Sequence, residues 1–549
     1  MRCKNTMITP VNFQPSRRAF GNQRAVPAIL LCLAVAACGG SDRPVGVVGH
    51  VNGFAGLVAG DEPRAVLIGR DILSAGGSPA DAAVAMAFTM SVTLPSQASL
   101  GAGGVCMVYD NTKKKTEVLD FIANPPEQLG TETTRPSAIP AMPRGLYALH
   151  AKYGKLRWEA LLAPAESMAR LGVPVSRAFA EQLAPVAGRL FEDAEARRSF
   201  SKSGGQPLDE GDAMVQEDLG ATLSRFRQRG VGDFYSGPWA KEVVAAANSA
   251  GGSLTAEELR AFEPKWKTPV AVPYGDDTAY FPPPLASGGT LEAELWALLA
   301  RDGAYAKASD DEKPHLLAEA YARVFADRQH WLQPDGSSSD APDSLLSKEH
   351  LAAVMTNYKP DAHETQQGDV PTDIVAGTGI VAMDVNGSAV ACNFSLNNPF
   401  GIGRIAPGTG ILLGAASGIK GRGPYGLGPM LAVNTNSNEF RFAVAAGGGP
   451  TAPTAVVQTA LDALIGKRSA SDAVAAKRLH ASAAPDVVFV EPGYAKEDAL
   501  KSRGHEVKES DIPSRVNAIK CTSGDPTPKR CTVGSDPRGA GLAVLIGKD

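Results

Sequence analysis

The chain lacks a marked excess of charge of either sign. Its 549 residues include 54 lysines and arginines against 58 aspartates and glutamates, so the net charge is −4 at pH 7. The isoelectric point of about 6.1 gives no basic footprint of the kind that binds nucleic acid. Internal repeats and heptads are absent from the sequence as well. A chain of this length that is 44% hydrophobic can bury a large core.

Metal-ligand motifs are also missing. The seven cysteines and eight histidines form no CxxC pair and no cluster with zinc spacing. His315 and His330 lie on one predicted helix over 315–331, too far apart to share a ligand, and we interpret each as structural. The glycines at 101–104 follow a helix, and no phosphate-binding Lys-Ser/Thr comes after them. We therefore predict neither a catalytic metal nor a cofactor.

The N-terminal segment has no apolar run long enough for a permanent membrane helix. Residues 1–37 carry five basic residues and no acidic one, and the apolar run 25–37 is short. The run ends in Val35-Ala36-Ala37-Cys38, which resembles a bacterial lipobox, and 16–20 resembles a twin-arginine export signal. The alternative for Cys38 is a buried thiol in an apolar helix.

We predict a signal peptide over 1–37, a lipid on Cys38 and a tether over 38–50. The lipid would anchor the protein to a membrane on the periplasmic side of a bacterial cell envelope.

The four later cysteines carry two different expectations. Cys106 and Cys392 each lie in an apolar, strand-like run, and we interpret them as buried thiols. Cys521 and Cys531 flank a short loop near the end of a chain that carries an export signal. We predict a disulfide between them, which would stabilise the fold by roughly 2–3 kcal/mol.

A threonine between two glycines begins the most informative stretch. Gly377-Thr378-Gly379 leads into two apolar runs, 379–383 and 388–394, which flank Val385-Asn386-Gly387. An Asn-Gly pair between apolar runs predicts a β-hairpin with a tight type I′ turn. Thr378 could act as a nucleophile if the chain were cut before it, because the freed α-amine can serve as its base. The alternative is a threonine that only starts a strand, where β-branched residues fit well.

Two further segments predict structure around a site. Residues 76–81 form a turn that opens a helix over 82–92, which is apolar nearly all round and should be buried. A Gly-Gly-Gly-Pro turn at 447–450 follows predicted strands and precedes a helix over 452–464. Backbone amides of such a turn can bind an oxyanion or a carboxylate. Alternatively, this turn only connects a strand to a helix.

Several segments together resemble the γ-glutamyltransferase family of self-cleaving N-terminal-nucleophile hydrolases. The matching motifs are GGSPADAAVAMAF at 76–88, PGTGILL at 407–413 and GSDPR at 534–538. The resemblance extends over roughly 50–549. It implies an α+β fold, the four-layer αββα sandwich, with a large-subunit-like region over 51–377 and a small-subunit-like region over 378–549.

The resemblance also implies roles for particular residues. Thr378 would be the catalytic nucleophile, and the turn at Gly448 and Gly449 would serve the acyl oxygen. Ser395 and Asn397 match a supporting hydroxyl and an amide near the nucleophile. The substrate would be a small glutathione-like amide or peptide, and the oligomeric state is left open.

The chain departs from the family pattern at the nucleophile and at the substrate-binding groups. The family nucleophile lies seven residues before the aspartate that closes the first strand; here that aspartate is Asp384, and Gly377 takes the position. Thr378 is one place late, so either the cleavage site has moved by one and a local bulge restores the direction of the side chain, or the nucleophile is lost. Ile122 replaces the arginine that clamps the substrate carboxylate, and Gly428-Pro429 replaces paired serines.

Three functions follow from these observations. The first, which we take as the prediction, is an exported γ-glutamyltransferase or glutathione hydrolase. The second is an amidase or acylase of the same architecture with another acyl specificity, which the loss of the arginine favours. The third is a catalytically inactive envelope binding protein, which the glycine at 377 favours.

Overall fold

The computed structural model describes residues 51, 53–127, 135–371, 373–419 and 422–547. The predicted signal peptide, Cys38 and the tether lie outside the described residues. Among the helices that are described, none is both long and apolar enough to cross a membrane.

A seven-stranded antiparallel sheet contains the predicted hairpin at its centre. Its strands, in spatial order, are Leu542–Ile546, Gly56–Gly60, Thr378–Asp384, Ala389–Ser395, Gly103–Asp110, Lys115–Phe121 and Lys265–Lys267.

A six-stranded antiparallel sheet forms the second layer. Its strands, in spatial order, are Cys531–Ser535, Arg515–Cys521, Phe440–Gly447, Met430–Asn434, Asp277–Phe281 and Val270–Tyr274. Shorter strands form three small sheets: Ile405–Ala406 with Ile411–Leu412, Val173–Pro174 with Ala213–Met214, and Leu479–His480 with Val488–Val490 and Val507–Glu509.

Helices cover the outer faces of both large sheets. Those before residue 262 are Pro63–Ser74, Pro79–Thr93, Pro95–Ala98, Met142–Tyr153, Trp158–Leu171, Arg177–Leu183, Ala187–Leu190, Ala194–Phe200, Glu217–Arg229, Gly232–Ser236, Pro238–Ser249 and Ala256–Ala261. The later ones are Ser287–Trp296, Ala304–Lys307, Lys313–Trp331, Pro342–Leu345, Lys348–Val354, Ala452–Ala460, Ala470–Ala475 and Glu497–Lys501.

The order of the layers is helix, sheet, sheet, helix. Apolar side chains of both sheets meet between them, among them Val105, Met383 and Ala445, which are fully buried. One further core joins the seven-stranded sheet to the helices before residue 262, and another joins the six-stranded sheet to the later helices. The predicted α+β class and the αββα sandwich are therefore confirmed.

The helix Pro79–Thr93 is buried along its whole length, as its composition predicts. Its N-terminus has a capping box, in which Asp81 N donates to Ser78 Oγ (3.0 Å) and Ser78 N donates to Asp81 Oδ2 (2.9 Å). These bonds satisfy amides that a buried helix end would otherwise leave unpaired.

The hairpin is present, but its turn is not type I′. The strands Thr378–Asp384 and Ala389–Ser395 pair in a regular register. A type I′ turn needs positive φ at both central residues, whereas Gly387 has a φ of 81° and Asn386 is not left-handed. The carboxylate of Asp384 accepts hydrogen bonds from the backbone N–H of Asn386 and of Ser388 at 3.0 Å each. A three-residue loop closed by a left-handed glycine explains the geometry.

Two disulfides are present among the described residues. Cys521 and Cys531 are joined, as the sequence predicts. Cys106 and Cys392 are also joined, so their interpretation as thiols is wrong, although both are fully buried. The physical reason is strand pairing, since the two residues lie directly opposite on neighbouring strands with a Cα–Cα distance of 4.1 Å. This second disulfide links the chain before Gly377 to the chain after it.

Candidate active site

Thr378 is the first residue of its strand and lies beside a carboxylate. Its Oγ1 donates a hydrogen bond to Asp61 Oδ2 at 2.7 Å, and the residue is 1% exposed. The register of the hairpin is regular as far as Thr378, which pairs with Phe394. The hydroxyl therefore meets a polar group without the local bulge that the sequence analysis considers.

Asp61 reaches Thr378 because of strand pairing. It follows the strand Gly56–Gly60, in which Gly60 lies opposite Ile380, two residues after Thr378. Its Oδ2 also accepts from the backbone N–H of Gly379 at 3.2 Å, and its Oδ1 accepts from Asn517 Nδ2 at 2.7 Å. Burial raises the pKa of Asp61 above its usual value, although these hydrogen bonds oppose the shift. The carboxylate is therefore a stronger proton acceptor than an exposed aspartate.

The peptide bond between Gly377 and Thr378 packs directly against Gly447. A Cβ atom on Gly447 would lie 2.1 Å from Gly377 O and 2.9 Å from Thr378 N, so only glycine fits there. Gly377 has a φ of 100°, which strains any residue with a side chain. Its N–H donates to Gln97 Oε1 at 2.8 Å. These contacts hold both sides of the bond in place.

The turn at Gly448 and Gly449 binds the segment just before this bond. Both backbone N–H groups donate to Ala376 O, at 3.3 Å and 3.1 Å. A Cβ atom on Gly449 would lie 2.5 Å from Ile374 O, so residues 374–376 pass along the turn. In the uncut chain the two amides are thus bonded to a carbonyl, the group that an acyl substrate would present.

A cavity of about 580 Å³ opens beside Thr378. Its size suits a small ligand. Among the described residues that line it, Arg515 is the one cation, and Asp61 and Glu181 are the acidic residues. Thr378, Gly447 and Gly448 line the same cavity, together with Leu94, Gln97, Ala178, Gln182, Pro185, Val186, Val375, Ala376, Gly377, Pro399, Pro513, Gly539 and Ala540.

Two other predicted site residues have different surroundings. Ser395 Oγ accepts from the backbone N–H of Asn397 at 2.9 Å. Asn397 Nδ2 donates to Ala415 O at 2.9 Å and to Ala123 O at 3.3 Å. Neither residue lines the cavity beside Thr378. Their hydrogen bonds stabilise the loop that follows the strand Ala389–Ser395.

The positions where the family carries substrate-binding groups hold different residues here. Ile122 is 2% exposed and packs in the core between the two sheets. A Cβ atom on Gly428 would lie 2.1 Å from Glu292 Oε1, so the Glu292 side chain takes that space. Burial raises the pKa of Glu292 well above its usual value, which favours the neutral acid. Neither Ile122 nor Gly428 therefore supplies a side chain that could bind the carboxylate of a substrate.

The sequence analysis does not identify Asp61, Asn517 and Gln97, which contact the segment 377–379. One signal was available for Asp61, because it comes directly after a short apolar strand that ends in Gly60. No local pattern marks Asn517, which belongs to the other sheet and donates to both Asp61 Oδ1 and Gly379 O.

The fold defines a class of protein, the αββα sandwich of the N-terminal-nucleophile hydrolases. The cephalosporin acylase from Bacillus halodurans has this fold, with a TM-score of 0.77 at 22% identity over 97% of this chain and 99% of that one. The γ-glutamyltranspeptidase from Helicobacter pylori aligns with a TM-score of 0.51 at 26% identity, over 58% of this chain and 94% of that one.

Sequence comparison gives the family. A sequence model of the gamma-glutamyltranspeptidase family matches residues 65–417 and 426–546. The chain is 28% identical to a glutathione hydrolase proenzyme of Pseudomonas aeruginosa over 89% of this chain and 94% of that protein. It is 26% identical to the glutathione hydrolase proenzyme of Escherichia coli over 82% of this chain and 86% of that protein. The chain therefore belongs to the gamma-glutamyltranspeptidase family, a family of enzymes, and the resemblance seen in the sequence is confirmed.

Proposed function

We propose that the protein cuts its own chain between Gly377 and Thr378 and then uses Thr378 to hydrolyse or transfer the acyl group of a small amide. The observation that carries this proposal is the hydrogen bond from Thr378 Oγ1 to the half-buried carboxylate of Asp61, next to a peptide bond held against Gly447.

The self-cleavage runs in two steps. Asp61 takes the proton of Thr378 Oγ1, and the oxygen attacks the carbonyl carbon of Gly377. The carbon–nitrogen bond breaks, the nitrogen takes the proton from Asp61, and an ester joins Gly377 to the Thr378 side chain. Water then hydrolyses the ester, which leaves a carboxylate on Gly377 and a free α-amine on Thr378.

The cut prepares the site for a substrate. Once residues 374–377 move away, the amides of Gly448 and Gly449 are free to bind the oxygen of an acyl group. The free amine of Thr378 takes the proton from its own hydroxyl, and the oxygen attacks the carbonyl carbon of the substrate amide. The carbon–nitrogen bond breaks, the leaving amine takes the proton, and the acyl group is left as an ester on Thr378. Water or an amine then releases the acyl group.

Family membership favours a γ-glutamyl amide such as glutathione as the substrate. A second candidate is an amide with another acyl group, because Ile122 and Gly428 lack the family's carboxylate-binding groups. Arg515 lines the cavity and is held by hydrogen bonds to Pro513 O (3.0 Å) and Ser514 O (3.2 Å). It would bind a carboxylate on either kind of acyl group.

Release of p-nitroaniline from γ-glutamyl-p-nitroanilide separates these candidates. Turnover by the wild type, absent in Thr378→Ala, supports the γ-glutamyl specificity. Turnover confined to other acyl anilides, such as glutaryl-p-nitroanilide, supports the second candidate. A chain that stays uncut and turns over neither substrate would contradict the proposal and support a catalytically inactive binding protein with the same fold.

We also propose a localisation: the protein lies on the periplasmic side of a bacterial cell envelope and is anchored by a lipid on Cys38. The basic and apolar N-terminal segment supports it, and so do the two disulfides, which persist in oxidising compartments. Labelling of the wild type by a fatty-acid probe, lost in Cys38→Ser, is the expected result. Equal labelling of both proteins, or of neither, would contradict it.

A further inference from the structure

Three of the chain's histidines meet at one buried point away from Thr378. His315 lies on the helix Lys313–Trp331, His363 lies in the segment before the proposed cut, and His505 follows the helix Glu497–Lys501. His315 Nδ1 is 2.7 Å from His505 Nε2, and the ring centroids of His363 and His505 are 4.4 Å apart. The histidines that look scattered in the sequence thus form a cluster in the fold.

A carboxylate completes the cluster. Glu319 lies one helical turn after His315, and its side chain is 1% exposed. Its Oε1 is 2.7 Å from His363 Nδ1 and 3.9 Å from His505 Nε2. One ligand atom each from His315, Glu319 and His505 lie within 4.8 Å of one another. His363 Nδ1 lies outside this group of three, but it is 2.7 Å from Glu319 Oε1 and is therefore the nearest candidate for a fourth ligand.

The outward nitrogens of two of these rings already have fixed partners. His315 Nε2 is 2.8 Å from Lys359 O, and a carbonyl can only accept, so Nε2 carries the hydrogen and Nδ1 keeps its lone pair. His363 Nε2 lies 3.1 Å from Asp486 Oδ2 and donates to that carboxylate. Metal-binding histidines usually donate their other N–H to a carbonyl or a carboxylate in this way.

We propose that His315 Nδ1, His363 Nδ1, His505 Nε2 and Glu319 Oε1 bind a divalent zinc ion. Imidazole nitrogen and carboxylate oxygen are ligands that zinc prefers, and four protein ligands in a buried position form a closed structural site. A tetrahedral zinc with Zn–N bonds near 2.0–2.1 Å would hold His315 Nδ1 and His505 Nε2 about 3.3 Å apart, a small opening of the present contact.

Binding moves protons as well as side chains. Without the ion, His505 Nε2 donates to His315 Nδ1, and His363 Nδ1 donates to Glu319 Oε1. The ion replaces both hydrogens, so His505 must bear its remaining proton on Nδ1. His363 releases one proton to solvent. Glu319 and, one shell further out, Asp486 offset part of the positive charge of the ion, although Glu319 Oε2 also accepts from Arg323 Nε and Nη2 at 3.2 and 3.1 Å.

The site would join the two products of self-cleavage. His315, Glu319 and His363 precede Gly377, whereas His505 and its neighbour Asp486 follow it. This consequence rests on the proposed function, but zinc binding itself does not. The uncut Thr378→Ala chain should bind zinc as well as the wild type does, so failure of cleavage and failure of zinc binding can be told apart.

The test uses the full-length protein, stripped with a chelator and titrated with zinc alone. We expect one tightly bound zinc per chain and a higher thermal midpoint with zinc than without it. Cobalt(II) in place of zinc should give the intense visible absorption of a tetrahedral site. His363→Ala should lose the tight site, and Asp486→Asn, which keeps every ligand, should weaken zinc binding by about 10- to 100-fold.

His330→Ala is the matched control, because His330 is exposed on the same helix as His315 and lies outside the cluster. It should bind zinc like the wild type. If the wild type binds no zinc more tightly than His363→Ala does, the cluster is only a hydrogen-bonded network and the proposal is wrong. Equal binding by the wild type and Asp486→Asn would contradict the role of the outer carboxylate.

Discussion

Replacement of Asp61 by asparagine tests the proposed base of self-cleavage. The variant keeps the shape of the side chain but cannot take the proton from Thr378 Oγ1, which lies 2.7 Å from Oδ2. A positioned general base contributes about 10²- to 10⁴-fold to a rate. We therefore expect cleavage to slow by that factor, which corresponds to about 3–5 kcal/mol in activation free energy.

The effect of Asp61→Asn on the free energy of unfolding should be much smaller than its effect on the activation free energy of cleavage. In the wild type, Asn517 Nδ2 donates to Asp61 Oδ1 at 2.7 Å. An asparagine at position 61 that keeps its oxygen toward Thr378 and Gly379 would place its NH₂ group opposite Asn517 Nδ2, so that two donors would face each other. Asn517 can flip its amide to accept instead, because its Oδ1 has no partner, but it then loses its bond to Gly379 O. One lost hydrogen bond costs about 1 kcal/mol of stability.

The assay follows newly translated chain on reducing denaturing gels over time. Glu62→Gln is the matched control, because Glu62 is the neighbouring carboxylate and caps a helix by accepting from Ala65 N at 2.7 Å. The control should cleave at the wild-type rate. Cleavage of Asp61→Asn at the wild-type rate would refute the role of Asp61.

The dependence on pH gives an independent check. The base acts in its deprotonated form, and burial raises the pKa of Asp61. The wild-type cleavage rate should therefore rise with pH, with a midpoint above 3.8, the ordinary value for an aspartate. Asp61→Asn should lose this rise, and a rate that falls as pH increases would contradict the account.

Four further predictions concern other parts of the structure. Gly447→Ala should block cleavage, because its Cβ would overlap Gly377 O, whereas wild-type cleavage of this variant would contradict the packing. Cleaved wild type should run as one species on a non-reducing gel, because a disulfide joins the two pieces, and Cys392→Ala should separate without reductant. Arg515→Gln should raise KM for carboxylate-bearing acyl donors by about 10- to 100-fold, from the loss of roughly 1.5–3 kcal/mol, and leave neutral donors unchanged. Ser78→Ala should lower the free energy of unfolding by about 1 kcal/mol in denaturant titrations, through loss of its helix cap.

The outcomes that would contradict these predictions are specific. Gly188→Ala controls for the glycine variant, since a Cβ at Gly188 meets nothing within 4 Å. Fragments that separate without reductant in the wild type would show that Cys106 and Cys392 are not joined. An equal effect of Arg515→Gln on neutral donors would indicate a structural role.

Local patterns predicted the elements that have a strong periodicity or a cap. A helix over 82–92 is predicted because a turn at 76–81 precedes an apolar run, and the structure has this helix over Pro79–Thr93. The hairpin at Asn386 was predicted because Asn-Gly separates two apolar runs. The turn type was missed, since the Asp384 carboxylate bonds the loop amides and no rule for an Asn-Gly pair includes that side chain.

Contacts between distant segments could not be predicted in the same way. The disulfide between Cys106 and Cys392 depends on strand order and register over 286 residues, which neither apolar run reveals. Asp61 approaches Thr378 only because two strands 317 residues apart in sequence are neighbours. The resemblance supplied the layers of the fold and pointed to the segment around Thr378, whereas the groups that contact Thr378 came from the coordinates.

The central claim is that the chain cuts itself directly before Thr378. The most direct measurement is N-terminal sequencing of the smaller piece after reduction, from full-length protein made in a purified translation system without proteases. The account predicts the sequence Thr-Gly-Ile-Val-Ala-Met and no such piece from Thr378→Ala. A chain that remains whole, or a piece that begins at any other residue, would contradict it.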